Sequence, residues 1–195
     1  MFWEHIHKFD QELTLAINSW SSPITDSIMI FFSKIPVWIP LYALVAALLI
    51  WRLGWKKGLM IIAAALLTFG FCDQFSNLIK DIVGRLRPLN NEFMVSSGLN
   101  VLEHPSQSFS FFSAHAANAF GFATSTFVGL RIDKRLKYRG YAAFIYFWAF
   151  MVAISRIFVG KHYLGDVLAG AIIGAFAGLC FTLLAKWLIE KYSIS

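Results

Sequence analysis

The sequence predicts an all-α integral membrane protein, a bundle of about five transmembrane helices with amphipathic helices at an N-terminal membrane interface. Three observations predict it. Of 195 residues, 58% are hydrophobic and only 14% charged, against roughly 25% charged in a soluble domain. The mean hydropathy is +0.63. The apolar residues fall in runs able to cross a ~30 Å hydrocarbon layer, and the charges gather in the short segments between them. The net charge of +6 is spread over those segments and builds no basic domain. Nucleic acid is therefore excluded as a partner, and the bilayer is the partner implied. The length is that of one domain, with residues 1–34 interfacial and 35–188 forming the transmembrane core. Oligomeric state has no signature here.

Taken in order, Glu4, His5, His7, Lys8, Asp10 and Glu12 interrupt residues 1–20, so no cleavable signal peptide is predicted. Phe2, Trp3, Ile6, Phe9, Leu13 and Ile17 recur at spacings of three and four, which predicts an amphipathic helix on the membrane surface. Residues 24–33 are too few to span and contain Asp26. They form a second interfacial helix, or join the next run as a Pro-kinked sixth span. Pro36 and Pro40 open the first span, about 35–51, and Arg52, Lys56 and Lys57 close it. The second covers about 58–79 and carries Asp73 at unusual depth. A polar loop over 80–110 holds Pro88, Gly98 and Pro105. The third span, about 111–130, ends in a basic loop with Arg131, Lys134, Arg135, Lys137 and Arg139. The fourth covers about 140–154 and the fifth about 167–185. Gly170, Ala171, Gly174, Ala175 and Gly178 in the fifth predict close helix packing. Cys72 and Cys180 lie inside apolar runs and suggest neither disulfide nor metal.

Five spans set the sidedness. Ten Lys and Arg fall on the face holding the 52–57 and 131–139 loops and the C-terminus, and seven on the other. Three of those seven (Lys80, Arg87, Arg156) are candidates for chemistry. The positive-inside rule then puts the first face in the cytoplasm and the polar loops outside.

Three polar clusters lie on that outer face: Lys80 to Pro88, Phe112 to His115, and Ser155 to Asp166. Each abuts a span end, so folding brings them to one interface. His162 and Asp166 are four apart, on one face if the segment is helical. A carboxylate so placed fixes the tautomer of a histidine and stabilises its charged form. An interfacial Arg and His snorkelling at a helix end would explain that stretch alone. The partners decide otherwise. Several cations with two histidines suit phosphoryl transfer, in which cations neutralise phosphate oxygens and imidazoles attack or carry protons. Ser113 and Ala114, at a helix start, would offer free backbone N–H groups to an anion.

These residues resemble the type 2 phosphatidic acid phosphatase (PAP2) superfamily of membrane lipid phosphatases. Its K-x6-R-P motif matches Lys80, Arg87 and Pro88, and its S-R-x5-H-x3-D motif matches Ser155, Arg156, His162 and Asp166. In the P-S-G-H motif, Phe112 and Ala114 stand for Pro and Gly, with Ser113 and His115 kept. The likeness covers roughly residues 10–188. It implies His162 as a nucleophile forming a phosphohistidine, Asp166 as its orienter, and His115 as the acid for the leaving group and then the base for water. It implies Lys80, Arg87, Arg156 and Ser113 on the phosphate, with the Ala114 N–H beside them. It implies no metal and no cofactor, and the sequence has no carboxylate cluster to bind one. Were positive φ required at Ala114, its Cβ would carry strain. Arg85, Asp73 and Asn118 are candidates for support behind these groups, Asp73 as a partner of a buried polar group such as Lys80.

The expected reaction is hydrolysis of a lipid phosphate or diphosphate at the outer face of a bacterial inner membrane. The resemblance admits undecaprenyl diphosphate, lipid A phosphates, phosphatidic acid and phosphatidylglycerophosphate. An outward-facing site fits the first two best, the first by generality. The alternatives are a small non-enzymatic transporter and a catalytically inactive relative. A transporter would carry its polar groups at mid-span, whereas here they cluster at span ends.

Overall fold

A computed structural model describes residues 2–104 and 107–193. Pro105 and the side chains of Phe2 and Trp3, named above, lie outside the described residues. All regular structure among the described residues is helical. Helix α1 is Phe2–Asn18, α2 Pro23–Ser33, α3 Ile39–Leu53, α4 Trp55–Val83, α5 Glu92–Ser96, α6 Ala114–Leu130, α7 Arg139–Phe158 and α8 Leu164–Lys191.

Residues 23–33 form a helix of their own. Ser22 caps it by accepting from Thr25 N at 3.2 Å, Pro23 sits in its first turn, and the chain extends at Lys34 before a short 3-10 turn, Ile35–Trp38. At ~1.5 Å per residue, α2 is about half the length needed to cross a bilayer.

Among the described residues, four helical stretches are long and apolar enough to span, beginning at Ile35, Trp55, Arg139 and Leu164. The 17-residue α6, in the expected third-span position, is shorter and more polar. Its place in the bundle explains this. It packs on α4, α7 and α8 and touches α3. Ala116, Ala117, Ala123, Ser125 and Thr126 are fully buried, so protein rather than lipid surrounds them. Thr126 Oγ1 donates to the Phe122 carbonyl (2.8 Å) and accepts from Tyr141 OH (2.6 Å). A central helix can thus carry hydroxyls that a lipid-facing one could not. The outer surface is apolar instead, with Leu44, Leu66, Phe147, Ile172 and Phe176 exposed.

The predicted small-residue stripe of α8 lies along α6. A Cβ on Gly174 would overlap the Ala117 carbonyl, and one on Gly170 the Ser113 carbonyl. This contact sets the two N-termini, which flank His115 and His162, side by side. Gly174→Val is expected to force the backbones apart at a cost above the ~1–3 kcal/mol of ordinary overpacking. The check is monodisperse yield and melting temperature in detergent. Wild-type behaviour in both would contradict this packing.

The helices run past the expected span ends at the polar face. Helix α4 continues to Val83, placing Lys80 in its last turn, and stops at Gly84 in a left-handed cap (φ 62°). Helix α7 runs to Phe158 and carries Ser155 and Arg156. At the opposite end, Arg52 at the close of α3 meets Asp133 in the α6–α7 loop (Nη2–Oδ2, 2.7 Å), which also accepts from Tyr138 OH at 2.6 Å. The two basic loops therefore share one end of the bundle, as the span count requires.

Candidate active site

Between α7 and α8 the chain reverses in five residues. Gly160 makes the turn at φ +77° with the Asn100 carbonyl close by, a conformation that L side chains rarely adopt. His162 lies in this turn, not in a helix, so the helical-face expectation for His162 and Asp166 does not hold. They meet by another route. Asp166 sits in the first turn of α8 and folds back to accept from Tyr163 N (3.0 Å), which brings Oδ2 within 3.6 Å of His162 Nδ1. Both side chains are buried.

Asp166 is the most heavily bonded carboxylate of the site. Oδ1 accepts from Arg85 Nη1 at 2.6 Å, and Oδ2 accepts a short hydrogen bond from Ser110 Oγ. Ser110 Oγ also lies 3.4 Å from His162 Nδ1. Arg85 reaches on to Asp10 of α1 (2.7 Å) and stacks 3.7 Å from the centroid of the Tyr163 ring. It thus stands behind Asp166 and contacts no part of the cavity described next.

With Nδ1 turned to Asp166 and Ser110, His162 Nε2 is the nitrogen left to face outward. Arg87 Nη1 is 3.3 Å from it. Burial pushes the His162 imidazole down to about 4, against the opposing pull of Asp166. At neutral pH it is uncharged, with the Nε2 lone pair facing the Arg87 guanidinium.

His162 opens on a cavity of about 470 Å³ lined also by Lys80, Arg87, Ala114, His115, Arg156 and Lys161 at one end. Its other end is aromatic, with Phe32, Trp38, Tyr42, Phe69 and Trp148. All three sequence clusters therefore converge. The side chains of Lys80 and His115 make no hydrogen bond to any described residue, and Arg87 is held by Ser108, bonding its carbonyl oxygen and Oγ at 2.8 Å each. Lys80 and Arg87 have no carboxylate partner among the described residues, and such cations, beside two imidazoles, can bind a phosphate and exchange protons with it. Among the described residues no group of three or more His, Cys, Asp or Glu could hold a metal ion.

Three assignments change. Ser113 is fully buried; its N–H donates to the Asp166 carbonyl oxygen (3.0 Å) and its hydroxyl caps α6 at Ala116 N (3.4 Å). It joins α6 to α8 and does not line the cavity, whereas Ala114 does. Ala114 is the first residue of α6 and does not have positive φ, so its methyl carries no strain. Asp73 pairs with Asn118 (Oδ1–Nδ2, 2.7 Å) and not with Lys80.

Other contributors carry no local sequence signal. Helix α1 turns its polar face inward: Asp10 accepts from Gly165 N (2.8 Å), Thr14 from Leu164 N (3.0 Å), and Asn18 donates to the Ile157 and Phe158 carbonyls (3.1 Å each). Its apolar face, with Ile6 and Phe9, is the exposed one. Glu103 accepts from Arg156 Nη1 (3.3 Å), lies 3.8 Å from Lys161 Nζ, and takes a short bond from Ser33. Burial would raise the Glu103 pKa, but Arg156, Ser33 and Lys161 together hold it below the ordinary value, so it is an anion beside the phosphate end. Glu103→Gln is expected to lower KM roughly 5–10-fold by removing a competing charge, an effect of about 1 kcal/mol. Steady-state kinetics checks it; a raised KM would mean that Glu103 serves to position Arg156.

A helical bundle with a cationic, two-histidine cavity at one end and an apolar girdle defines a membrane-embedded phosphatase. The chain belongs to the PAP2 superfamily, whose profile matches residues 55–190. It is 36% identical over 190 residues to the lipid A 4'-phosphatase of Bacteroides thetaiotaomicron, covering 96% of this chain and 82% of that protein. The lipid A 4'-phosphatase of Porphyromonas gingivalis is 24% identical, over 90% of this chain and 72% of its own length. Among solved structures, Aquifex aeolicus LpxE superposes with TM-score 0.63 at 25% identity, covering 87% of this chain and 92% of that one. The PAP2-type phosphatidylglycerolphosphate phosphatase of Bacillus subtilis superposes at 0.66 with 24% identity, covering 96% and 87%, a likeness of fold.

Proposed function

We propose that this protein removes a phosphate monoester from the sugar headgroup of lipid A through a phosphohistidine on His162. The observation that carries the reading is the single cavity with a cationic end for phosphate and an aromatic end continuous with the apolar helices. The 36% identity to a lipid A 4'-phosphatase favours lipid A over undecaprenyl diphosphate, reversing the order that generality suggests.

In this reading Lys80, Arg87 and Arg156 draw the phosphate against His162 and spread the charge of the transition state. His162 Nε2 attacks phosphorus as the bond to the sugar oxygen breaks, and Asp166 stabilises the imidazolium formed. His115 gives its proton to the departing oxygen. It then takes one from water, whose attack on phosphorus frees inorganic phosphate and restores neutral His162.

Phosphate release from purified protein tests this with a panel of lipid A, undecaprenyl diphosphate, phosphatidic acid and phosphatidylglycerophosphate. Preference for lipid A is expected; preference for another member would reassign the substrate. The charge asymmetry supports a site on the outer face of the inner membrane. In a cysteine-free background, an impermeant thiol reagent is expected to label a Ser97→Cys variant in intact cells and to spare Lys137→Cys. The reverse pattern would invert the topology.

A further inference from the structure

The reaction above leaves part of the cavity unused. On α4, Asp73 lies two turns below Lys80; on α6, Asn118 lies one turn beyond His115. They join through the 2.7 Å bond from Asn118 Nδ2 to Asp73 Oδ1, and both line the cavity. Trp148 of α7 lines it as well.

Two features of this trio point to a ligand. Asn118 Oδ1 and Trp148 Nε1 are buried and have no hydrogen-bond partner among the described residues, leaving one acceptor and one donor unsatisfied. Such groups cost roughly 1–3 kcal/mol each unless something completes them. A third unpartnered atom, Arg156 Nε, belongs to the phosphate end of the same cavity. The second feature is charge. A carboxylate here would repel a phosphate, so the complement is a neutral group that both donates and accepts. Hydroxyls and amides do both, and an indole wall suits the apolar face of a sugar ring.

We propose that Asp73, Asn118 and Trp148 form a subsite for the hydroxyl- or amide-bearing group esterified to the phosphate, and so select which phosphate monoester is hydrolysed. Naming that group as a sugar rests on the lipid A reading; the need for donors and acceptors does not. Asn118 lies one turn from His115 on α6, so a group bound to it would have its ester oxygen near the proposed acid. A bare alkyl phosphate leaves the trio empty.

The test compares kcat/KM for lipid A with that for dodecyl phosphate, whose alcohol has no further polar group. Asn118→Leu and Asp73→Leu are each expected to lower the lipid A to dodecyl phosphate ratio about 10–100-fold, the worth of one or two lost hydrogen bonds. The exchanged pair, Asp73→Asn with Asn118→Asp, restores the bond between the helices and is expected to recover most of the ratio. An unchanged ratio, with both substrates lowered together or neither, would overturn the subsite. If wild type instead prefers phosphatidylglycerophosphate, the lipid A reading fails alone. The subsite then stands if the variants lose the glycerol-bearing substrate selectively, and falls if they do not.

Discussion

His162→Ala is expected to lower phosphate release by at least about 10⁴-fold, because loss of a nucleophile leaves only binding and electrostatic stabilisation. No neighbouring group can replace it. Ser110 is turned to Asp166, and His115 enters the cavity from another helix. The side chain is small and buried in a turn whose shape is set by Gly160 and by backbone bonds to Arg156 O. The variant should therefore fold and still bind phosphate through Lys80, Arg87 and Arg156. Activity assays with a phosphate-binding measurement separate the outcomes, and substantial turnover by folded His162→Ala would end the phosphohistidine mechanism. Brief reaction of wild type with ³²P-labelled substrate should also leave an acid-labile, base-stable label that this variant lacks.

Asp166→Asn should be nearly as severe, at roughly 10²–10⁴-fold in kcat, by analogy with orienting carboxylates in catalytic triads. An amide has one oxygen to offer where Asp166 now serves Arg85, Ser110, Tyr163 N and His162. Its NH₂ would face either the Arg85 cation or the His162 proton. The first arrangement sets an N–H against the Arg85 guanidinium and leaves it only Asp10 as an anion, and the second reverses the imidazole tautomer. A fall in kcat with little change in KM is the expected signature, since the phosphate end is untouched. A rise in KM with kcat intact would move Asp166 from orienting the histidine to holding the cavity's shape.

Residues that signalled their place in the sequence did so through pattern. Lys80, Arg87, His115, Arg156 and His162 stood out because charges and imidazoles at span ends have no other reason to cluster. The α8 stripe was legible because glycines at four-residue spacing leave a groove whatever fills it. Ser110, Asp10, Thr14 and Asn18 had no such signal. Each acts through hydrogen bonds to distant parts of the chain, and serines and asparagines in a polar stretch look alike until the fold chooses among them. The inward polar face of α1 was likewise invisible, since an amphipathic pattern does not say which face meets protein. Span ends fell short of the helix ends for a related reason: hydropathy stops where lipid stops, while backbone bonding continues beneath the cavity.

The clasp of α1 on the start of α8 has a bearing on biogenesis. Asp10, Thr14 and Asn18 are made well before the amides and carbonyls they hold, which flank His162 some 140 residues later in synthesis. The surroundings of His162 are complete only when α8 has entered the bilayer and docked against α1. A nascent or truncated chain would expose its cations to lipid headgroups without the means to cleave them. Hydrolytic competence thus reports full insertion, and it can serve as an assay for correct assembly of the whole bundle.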